Sequence, residues 1–275
     1  MQMQPKNKLS NYPDAQPVSP PGLLPEALPL IEANMALFLD FDGTLVELAA
    51  QPQAVLIPAR LGQTLAALYR HLGGALALVS GRRLLDLDGF LAPLQLPPAA
   101  EHGAQRRDAA GRMSRAPATD MRQVQQAAQA LVAQYPALVL EEKEMALSLH
   151  YRQAPELETV CLQVMRKALA LSPGLALIQG KYVIDLRPAS VSKGTAIAAF
   201  MAEAPFAGRV PVFAGDDVTD EDGFEQVLRL GGHAIKVGAG PSLARLRCDS
   251  VAAMAAWLQS APTSLPATRS ESVPL

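Results

Sequence analysis

The sequence predicts an α/β fold, a doubly wound parallel sheet interrupted by a smaller α+β domain. Two observations predict the sheet: short apolar runs without polar alternation, such as residues 75–80, and amphipathic stretches that follow them. Such runs are typical of strands that crossover helices cover on both faces. A third observation, a middle block in which helices alternate with strand pairs, predicts the inserted domain.

The composition is that of an ordinary globular protein. The 275 residues are 49% hydrophobic and 18% charged, with a formal net charge of -2. This length suffices for one large domain or two modest ones, each with its own core. The near-neutral charge gives no electrostatic footprint for nucleic acid or an anionic membrane. No apolar run approaches the length of a membrane span. We expect a monomer in the cytoplasm.

Both ends of the chain are rich in proline and polar residues. We expect residues 1–30 and 261–275 to be mobile tails, with a docking peptide as the alternative for either. The first of them lacks the compact apolar segment and cleavage site of a secretory signal. Cys161 and Cys248 lie far apart in the sequence, which favours two free buried thiols over a disulfide or metal pair.

The first part of the core begins with a buried strand at residues 35–40. A helix follows, with leucines on one face at Leu61, Leu65, Leu68 and Leu72. Pro58 suits its first turn, and the Gly73-Gly74 pair stops it. A second strand at residues 75–80, a helix from about Arg82 and a third strand near residues 98–101 come next. Strands and helices that alternate at this spacing predict parallel strands with crossover helices.

The rhythm changes between residues 106 and 188, which we predict to be the inserted domain. A helix that Thr119 can cap precedes two strands at residues 139–143 and 146–152, which are predicted to form a hairpin. The order then repeats, with a helix and a strand pair at residues 155–171, 175–180 and 182–187. Helix and hairpin in alternation indicate an α+β unit.

The first rhythm resumes after the insert, so residues 31–105 and 189–260 form the predicted core. Its later elements are helix, strand, helix, strand and helix, at residues 190–204, 210–215, 219–230, 233–238 and 250–259.

Two aspartates spaced by one residue end the first strand, in the stretch LFLDFDGTLVEL. Strand alternation puts Asp40 and Asp42 on the same side, at the carboxyl end where open α/β sheets bind ligands. Two carboxylates this close repel each other unless a cation or a proton lies between them. A hard divalent ion such as Mg²⁺ resolves the conflict, and a solvated turn or helix cap explains the pair equally well.

Three further polar groups stand at the ends of core strands or the starts of core helices. Ser80 and Gly81 end the second strand and offer a hydroxyl and free amides to a phosphate oxygen. Lys193 begins a helix, where its charge favours a phosphoryl group or crowded carboxylates. The stretch AGDDVTDED adds an acidic cluster of Asp216, Asp217 and Asp220. Ser80 alone also fits a helix cap, and Lys193 alone fits a solvated side chain. A capping role explains one or two residues of the acidic cluster, but not the adjacent Asp216 and Asp217 at the strand end.

The order of these groups resembles the haloacid-dehalogenase-like (HAD) phosphatases, whose four motifs meet at one edge of a Rossmann-like sheet. DFDGT, Ser80, Lys193 and GDD…D match those motifs within residues 35–258. The resemblance implies Mg²⁺ as cofactor and Asp40 as the nucleophile that forms an aspartyl-phosphate. It implies Asp42 as the general acid and then the general base.

The same resemblance implies the groups that hold the phosphate and the metal. The phosphate contacts are Thr44, Ser80, Gly81 and Lys193. Lys193 also offsets charge at the nucleophile. The metal contacts are Asp40, the backbone carbonyl of Asp42, and Asp216, with Asp217 or Asp220 supporting its waters.

The insert lies where this superfamily places its larger cap domains, which close over the site and select the substrate. Within it, LEEKEMALSLHYR and GKYVIDLRP are similar to the trehalose-6-phosphate phosphatases, whose cap acids and lysine bind sugar hydroxyls. The similarity implies Glu141, Lys143 and Asp185 as sugar contacts, with Arg152 and His102 as weaker candidates. Asp185 stands where the family usually has glutamate, which leaves the exact sugar open.

The resemblance therefore implies Mg²⁺-dependent hydrolysis of trehalose 6-phosphate, the final step of trehalose biosynthesis, and a functional link to a trehalose-6-phosphate synthase. The alternatives are a phosphatase for another sugar phosphate or a glycosyl-glycerate phosphate, and a phosphomutase that shares the aspartyl-phosphate. A catalytically inactive regulatory homologue is disfavoured, because the motif residues named above are all present.

Overall fold

The structure is a computed structural model that describes residues 27–49, 51 and 54–261. Most of the two predicted tails lies outside these ranges. Residues 27–30 of the first tail are described, and they rest on the folded part of the chain. Leu28 packs against the apolar core, and the indole nitrogen of Trp257 donates to the carbonyl of Pro29 at 2.8 Å. The first predicted tail is therefore too long at its carboxyl end.

Within the described ranges the chain forms twelve strands and seven α-helices. The strands are β1 Met35–Leu39, β2 Leu76–Val79, β3 Pro98–Ala100, β4 Gln105–Arg107, β5 Met113–Arg115, β6 Val139–Glu142, β7 Leu147–His150, β8 Leu175–Gly180, β9 Val183–Pro188, β10 Val210–Gly215, β11 His233–Val237 and β12 Leu246–Cys248. The α-helices are α1 Leu61–His71, α2 Leu84–Leu91, α3 Arg122–Gln134, α4 Glu158–Ala170, α5 Lys193–Met201, α6 Glu221–Arg229 and α7 Val251–Gln259.

The larger sheet has the strand order β12-β11-β10-β1-β2-β3-β4-β5. Its strands are parallel from β12 to β3, and β4 and β5 are antiparallel additions. The chain proceeds from β1 through β2 to one side and later from β10 through β11 to the other. The carboxyl ends of β1 and β10 therefore form the switch point where such sheets bind ligands. The predicted doubly wound α/β core is confirmed.

Local sequence explains why these core elements form where they do. All five residues of β1 and all four of β2 are buried, as their unbroken apolar runs require. In α1, Leu61, Leu65 and Leu68 face the core, and Gly73 and Gly74 follow with φ of 55° and 89°. Positive φ values suit glycine, so the helix ends at this pair.

The smaller sheet has the order β6-β7-β9-β8 and is antiparallel throughout. The helices α3 and α4 pack on it, and buried residues such as Leu149, Cys161 and Ile184 form an apolar cluster separate from that of the larger sheet. The predicted α+β insert in an α/β core is thus the observed architecture.

The boundary predicted at residue 106 is wrong, because β4 and β5 pair with β3 in the larger sheet. The elements of the smaller unit run from α3 to β9. The sequences of β4 and β5, QRR and MSR, are polar and three residues long, so they carry no hydrophobic pattern. Their hairpin depends on a turn in which the Asp108 carboxylate accepts hydrogen bonds from the backbone of Ala110 and Arg112.

The start predicted for the next helix is also corrected. It begins at Arg122, whose backbone N–H donates to Asp120 at 3.0 Å, and the Thr119 hydroxyl does not cap it. Cys161 and Cys248 are free and buried, as predicted. Among the described residues, no helix combines the length and apolar character that crossing a membrane requires.

Candidate active site

The carboxyl ends of β1, β2 and β10 bring together the polar groups that are far apart in the sequence. Asp40 follows β1, Ser80 follows β2, and Asp216 follows β10. Lys193 is the first residue of α5, whose amino terminus is closed by the Ser192 hydroxyl accepting from the backbone of Thr195. This capping box fixes the start of the helix and with it the position of Lys193.

Lys193 lies between two buried carboxylates. Its Nζ is 2.8 Å from Asp40 Oδ1 and 2.6 Å from Asp220 Oδ1, and its side chain is 3% exposed. Burial alone would lower the pKa of this ammonium, but attraction to Asp220 and Asp40 outweighs burial and raises the pKa above its usual value. Lys193 is therefore a fixed positive charge beside Asp40.

The negative charge at this position exceeds what one lysine can balance. Oxygen atoms of Asp40, Asp216 and Asp220 lie within 4.8 Å of one another. Burial, followed by the charge of Asp220, raises the pKa of Asp40 well above its usual value, although Lys193 opposes the shift. Burial and the charges of Asp220 and Asp217 raise the pKa of Asp216 to about 7. Crowded carboxylate oxygens of this kind are the donors that Mg²⁺ prefers.

Asp220 organises the acidic loop. Its Oδ2 accepts hydrogen bonds from the backbone of Asp216 at 3.0 Å and of Asp217 at 2.9 Å. Its other carboxylate oxygen accepts from Lys193, so both oxygens of this fully buried side chain are hydrogen-bonded. Gly43 lies against Asp216, and a Cβ at this glycine would come within 2.2 Å of the carboxyl carbon. Asp216 can approach the first strand this closely because Gly43 has no side chain.

Asp42 has a partner that the sequence interpretation did not assign to the site. Its two carboxylate oxygens accept from Arg82 Nε at 2.7 Å and from Arg82 Nη2 at 2.6 Å. The Asp42 side chain is 27% exposed, whereas that of Arg82 is 8% exposed. A guanidinium paired in this geometry fixes the orientation of the carboxylate. Arg82 directly follows the Ser80-Gly81 motif, and this position next to the motif is the sequence signal that could have identified it as a site residue.

The predicted phosphate contacts divide into two groups. Ser80, Gly81 and Lys193 line the cavity described below. Thr44 is fully buried, and its Oγ1 has no hydrogen-bond partner among the described residues. Unpaired buried hydroxyls are unusual, so Thr44 stays a candidate for a phosphate oxygen although it does not line the cavity.

Gly81 is packed against a buried imidazole, and this contact leads to a testable prediction. A Cβ at Gly81 would lie 2.7 Å from both Cε1 and Nε2 of His102. Gly81→Ala must therefore displace the His102 ring or the strand-end turn, at a stability cost of about 1–3 kcal/mol. We expect a lower melting temperature and about tenfold lower kcat/KM, since small misplacements are costly in active sites.

Gly89→Ala is the matched control, because Gly89 lies within α2 and a Cβ there would meet no atom within 4 Å. An alanine at Gly81 with wild-type kinetics and stability would show that the ring is not constrained as described.

The smaller unit, from α3 to β9, is called the cap below, and the rest of the described chain is called the core. A chain of hydrogen bonds across β7 and β9 forms the side of the cap that faces the core. Lys143 Nζ donates to Ser148 Oγ at 2.7 Å, and that hydroxyl donates in turn to Asp185 Oδ1. Lys143 also donates to the carbonyl of Gly81 at 2.9 Å, which links the cap to the core. Glu141 lies 3.8 Å from Lys143 and 3.1 Å from His150 Nε2.

Asp185 and His102 face each other across the cap–core boundary, with Asp185 Oδ2 3.6 Å from His102 Nε2. Burial lowers the pKa of the His102 imidazole. Burial by itself would raise the pKa of the Asp185 carboxyl. His102, Lys143 and the Ser148 hydroxyl outweigh burial and hold this pKa below its usual range. Asp185 is thus a buried anion that faces the core.

One cavity between the two sheets contains most of the predicted site residues. The core contributes Asp40, Asp42, Ser80, Gly81, His102, Lys193, Asp216 and Asp217. The cap contributes Glu141, Lys143, Arg152 and Asp185. Thr44 and Asp220 are not in the lining, and Arg152 stacks over the ring of Tyr182, 5.3 Å from its centroid. Polar lining residues that were not predicted are Arg82, Ser148, His150, Lys181 and Thr219.

A model of the family described as trehalose-phosphatase matches residues 38–251, which include every predicted site residue. The chain belongs to the trehalose-phosphatase family. The family model covers most of the chain, so the family predicted from the motifs is confirmed, and the protein is a phosphatase, a phosphoric monoester hydrolase.

Individual relatives agree with this assignment. The chain is 44% identical over 239 residues to the trehalose-6-phosphate phosphatase of Escherichia coli, covering 86% of this chain and 90% of that one. It is 34% identical to a bifunctional trehalose-6-phosphate synthase/phosphatase of Thermoproteus tenax, covering 77% of this chain and 29% of the relative. The C-terminal domain of a Candida albicans trehalose-6-phosphate phosphatase shares the fold, with a TM-score of 0.76, 20% identity and coverage of 82% and 91%. The predicted HAD fold with a cap is confirmed.

Proposed function

We propose that this phosphatase hydrolyses trehalose 6-phosphate to trehalose and inorganic phosphate, with Mg²⁺ as cofactor and an aspartyl-phosphate intermediate. The observation that carries the proposal is one cavity with two different walls. Asp40, Lys193 and the acidic loop form the core wall, and Glu141 and Lys143 form the cap wall. The first wall suits phosphoryl transfer, and the second offers an acceptor and a donor to sugar hydroxyls. The close similarity to the Escherichia coli enzyme supports the same substrate.

The residues present fit a divalent cation. Asp40 and Asp216 would offer carboxylate oxygens and Asp42 its backbone carbonyl, and Asp217 or Asp220 would support the metal's waters. Burial and the neighbouring carboxylates raise the pKa values of Asp40 and Asp216, and a cation bound between these carboxyls would favour their charged forms. When bound, Mg²⁺ supplies positive charge that lets a phosphate dianion approach an anionic nucleophile.

In the first step, an Asp40 oxygen forms a bond to phosphorus while the bond from phosphorus to the sugar oxygen breaks. Lys193 stabilises the charge around Asp40, and Ser80 with the Gly81 backbone holds phosphoryl oxygens. Asp42 donates a proton to the leaving sugar oxygen. In the second step Asp42, which has given up its proton and is held in place by Arg82, takes a proton from the water that attacks phosphorus, and the bond between phosphorus and Asp40 breaks.

The cap wall determines which sugar is bound. Glu141 and Lys143 have side chains only 12% and 5% exposed, so they offer preorganised groups in the cavity. Asp185 is shorter than the glutamate usual in the family and is held by Ser148, opposite His102. Its position favours contact with a hydroxyl through a water molecule, or a role in holding Lys143 and Ser148 in place.

A panel of phosphate esters tests the substrate. The purified protein, with Mg²⁺, is expected to release inorganic phosphate from trehalose 6-phosphate with kcat/KM at least about tenfold above glucose 6-phosphate and glucosyl-glycerate phosphate, because one extra sugar contact contributes about 1–3 kcal/mol. Removal of Mg²⁺ with EDTA is expected to abolish release, and its return to restore it.

Faster turnover of another sugar phosphate would overturn the proposed substrate and favour the alternative, a phosphatase for a related sugar ester. That alternative rests on Asp185, which stands where the resemblance implies a glutamate. Phosphate that reappears on a second hydroxyl, without release of inorganic phosphate, would identify a phosphomutase.

A functional link to a trehalose-6-phosphate synthase is part of the proposal. It is supported by the bifunctional relative, in which synthase and phosphatase share one chain. The monomeric state and the cytoplasmic location stay predictions, and gel filtration and cell fractionation test them.

A further inference from the structure

A buried carboxylate lies at the boundary between core and cap, outside the residues assigned to the site. Glu101 follows β3 and is 1% exposed. A buried carboxylate is costly unless hydrogen bonds or charges compensate it, so its partners indicate its role.

The partners of Glu101 are backbone amides of the cap. The carboxylate accepts from the N–H of Met145 at 2.6 Å and from the N–H of Glu144 at 3.2 Å. Gln105 Nε2, from the core, also donates to it at 3.1 Å. Hydrogen bonds from neutral donors to a charged acceptor are stronger than those between neutral groups. Glu101 therefore attaches the core to one short segment of the cap.

That segment is the turn between β6 and β7. The turn is closed by a hydrogen bond from the backbone N–H of Lys143 to the carbonyl of Ala146 at 3.0 Å, which leaves Glu144 and Met145 at its centre. The amides at the centre of a turn point away from both strands and need other acceptors when they are covered. Glu101 supplies these acceptors from the other unit.

The turn begins with Lys143, the lysine of the cap wall. Its ammonium reaches the cavity and donates to Gly81 and Ser148. We infer that Glu101 is a positioning residue for the sugar half of the substrate: it docks the β6–β7 turn on the core and so holds Lys143 in the cavity. This inference rests on the proposed function, because it assigns Lys143 to the sugar.

The backbone at this position supports the inference. Glu101 and His102 have φ values of 48° and 59°, in the left-handed region that non-glycine residues seldom occupy. Two adjacent residues in this region carry strain, which persists where surrounding contacts compensate it. Here the chain folds back immediately after β3, and both side chains meet the cap, Glu101 at the turn and His102 at Asp185.

Glu101→Gln tests the inference with little change in size. A glutamine has one acceptor oxygen, so its NH₂ group must face one of the donors that Glu101 satisfies, and the turn loosens. The KM for trehalose 6-phosphate is expected to rise about tenfold. The kcat/KM for p-nitrophenyl phosphate, which has no sugar to contact Lys143, is expected to change less than about twofold, since the groups around Asp40 are untouched. Amide hydrogen exchange at residues 144 and 145 is expected to accelerate.

Glu142→Gln is the matched control. It lies on the same hairpin and accepts from Gln125 and Gln129 within the cap, so its kinetics and the exchange of the turn should match the wild type. Glu101→Asp, which keeps the charge but shortens the reach, should fall between Glu101→Gln and the wild type. If Glu101→Gln does not fold, the aspartate variant provides the same comparison of substrates and exchange.

An equal loss of kcat/KM for trehalose 6-phosphate and for p-nitrophenyl phosphate would overturn the inference and assign Glu101 a general structural role. Unchanged exchange at the turn would also overturn it. A different result would overturn the proposed function, namely a wild-type protein that does not release phosphate from trehalose 6-phosphate. In that case the preferred sugar phosphate of the panel replaces it in the comparison.

Discussion

Asp40→Asn is expected to lower kcat by at least about 10³-fold, because an amide oxygen is a poor nucleophile and cannot form the acyl phosphate. The folded protein should be at least as stable as the wild type without metal. Burial and the repulsion from Asp220 and Asp216 raise the pKa of Asp40, and both penalties disappear when its charge is removed, while Lys193 keeps Asp220 as its partner. Phosphate release and urea unfolding measure the two effects.

Asp86→Asn serves as the control for Asp40→Asn. Asp86 lies in α2, pairs with the side chain of Arg83 and is not among the residues that line the cavity. It should keep wild-type turnover. An Asp40→Asn protein that retains more than a few per cent of kcat would contradict the nucleophile assignment.

Lys193→Met is expected to destabilise the metal-free protein by about 3–5 kcal/mol, the usual cost of removing one partner from a buried ion pair. Lys193 lies between Asp40 and Asp220, and both carboxylates stay buried without it. Turnover should fall on the order of 10²-fold, because positive charge is lost beside the nucleophile. Mg²⁺ should stabilise the variant more than the wild type, since the ion brings charge to the same carboxylates.

Urea unfolding with and without Mg²⁺ measures this difference in stability. Lys167→Met is the matched control, because Lys167 lies on the exposed face of α4. It should shift neither the unfolding midpoint nor turnover. A Lys193→Met protein as stable as the wild type, or stabilised equally by Mg²⁺, would show that Lys193 does not balance the acidic cluster.

The sequence was sufficient for the parts of the fold that local pattern encodes. The unbroken apolar runs of β1 and β2 predicted strands covered on both faces, and the leucine spacing of α1 predicted its buried face. The convergence of Asp40, Lys193 and Asp216 followed from the rule that parallel strands bind ligands at their carboxyl ends. The polar strands β4 and β5 were not predicted, because their sequences show no alternation of apolar and polar residues.

The sequence by itself determined which side chains meet at the core wall, since residues at strand ends need only the order of the strands to be placed. The tertiary structure alone decided which distant groups touch: Arg82 on Asp42, His102 against Gly81, and Glu101 on the β6–β7 turn. These contacts depend on how the cap sits on the core and on two left-handed residues after β3. Local periodicity encodes neither the placement of the cap nor the left-handed backbone after β3, because both depend on packing between the two units.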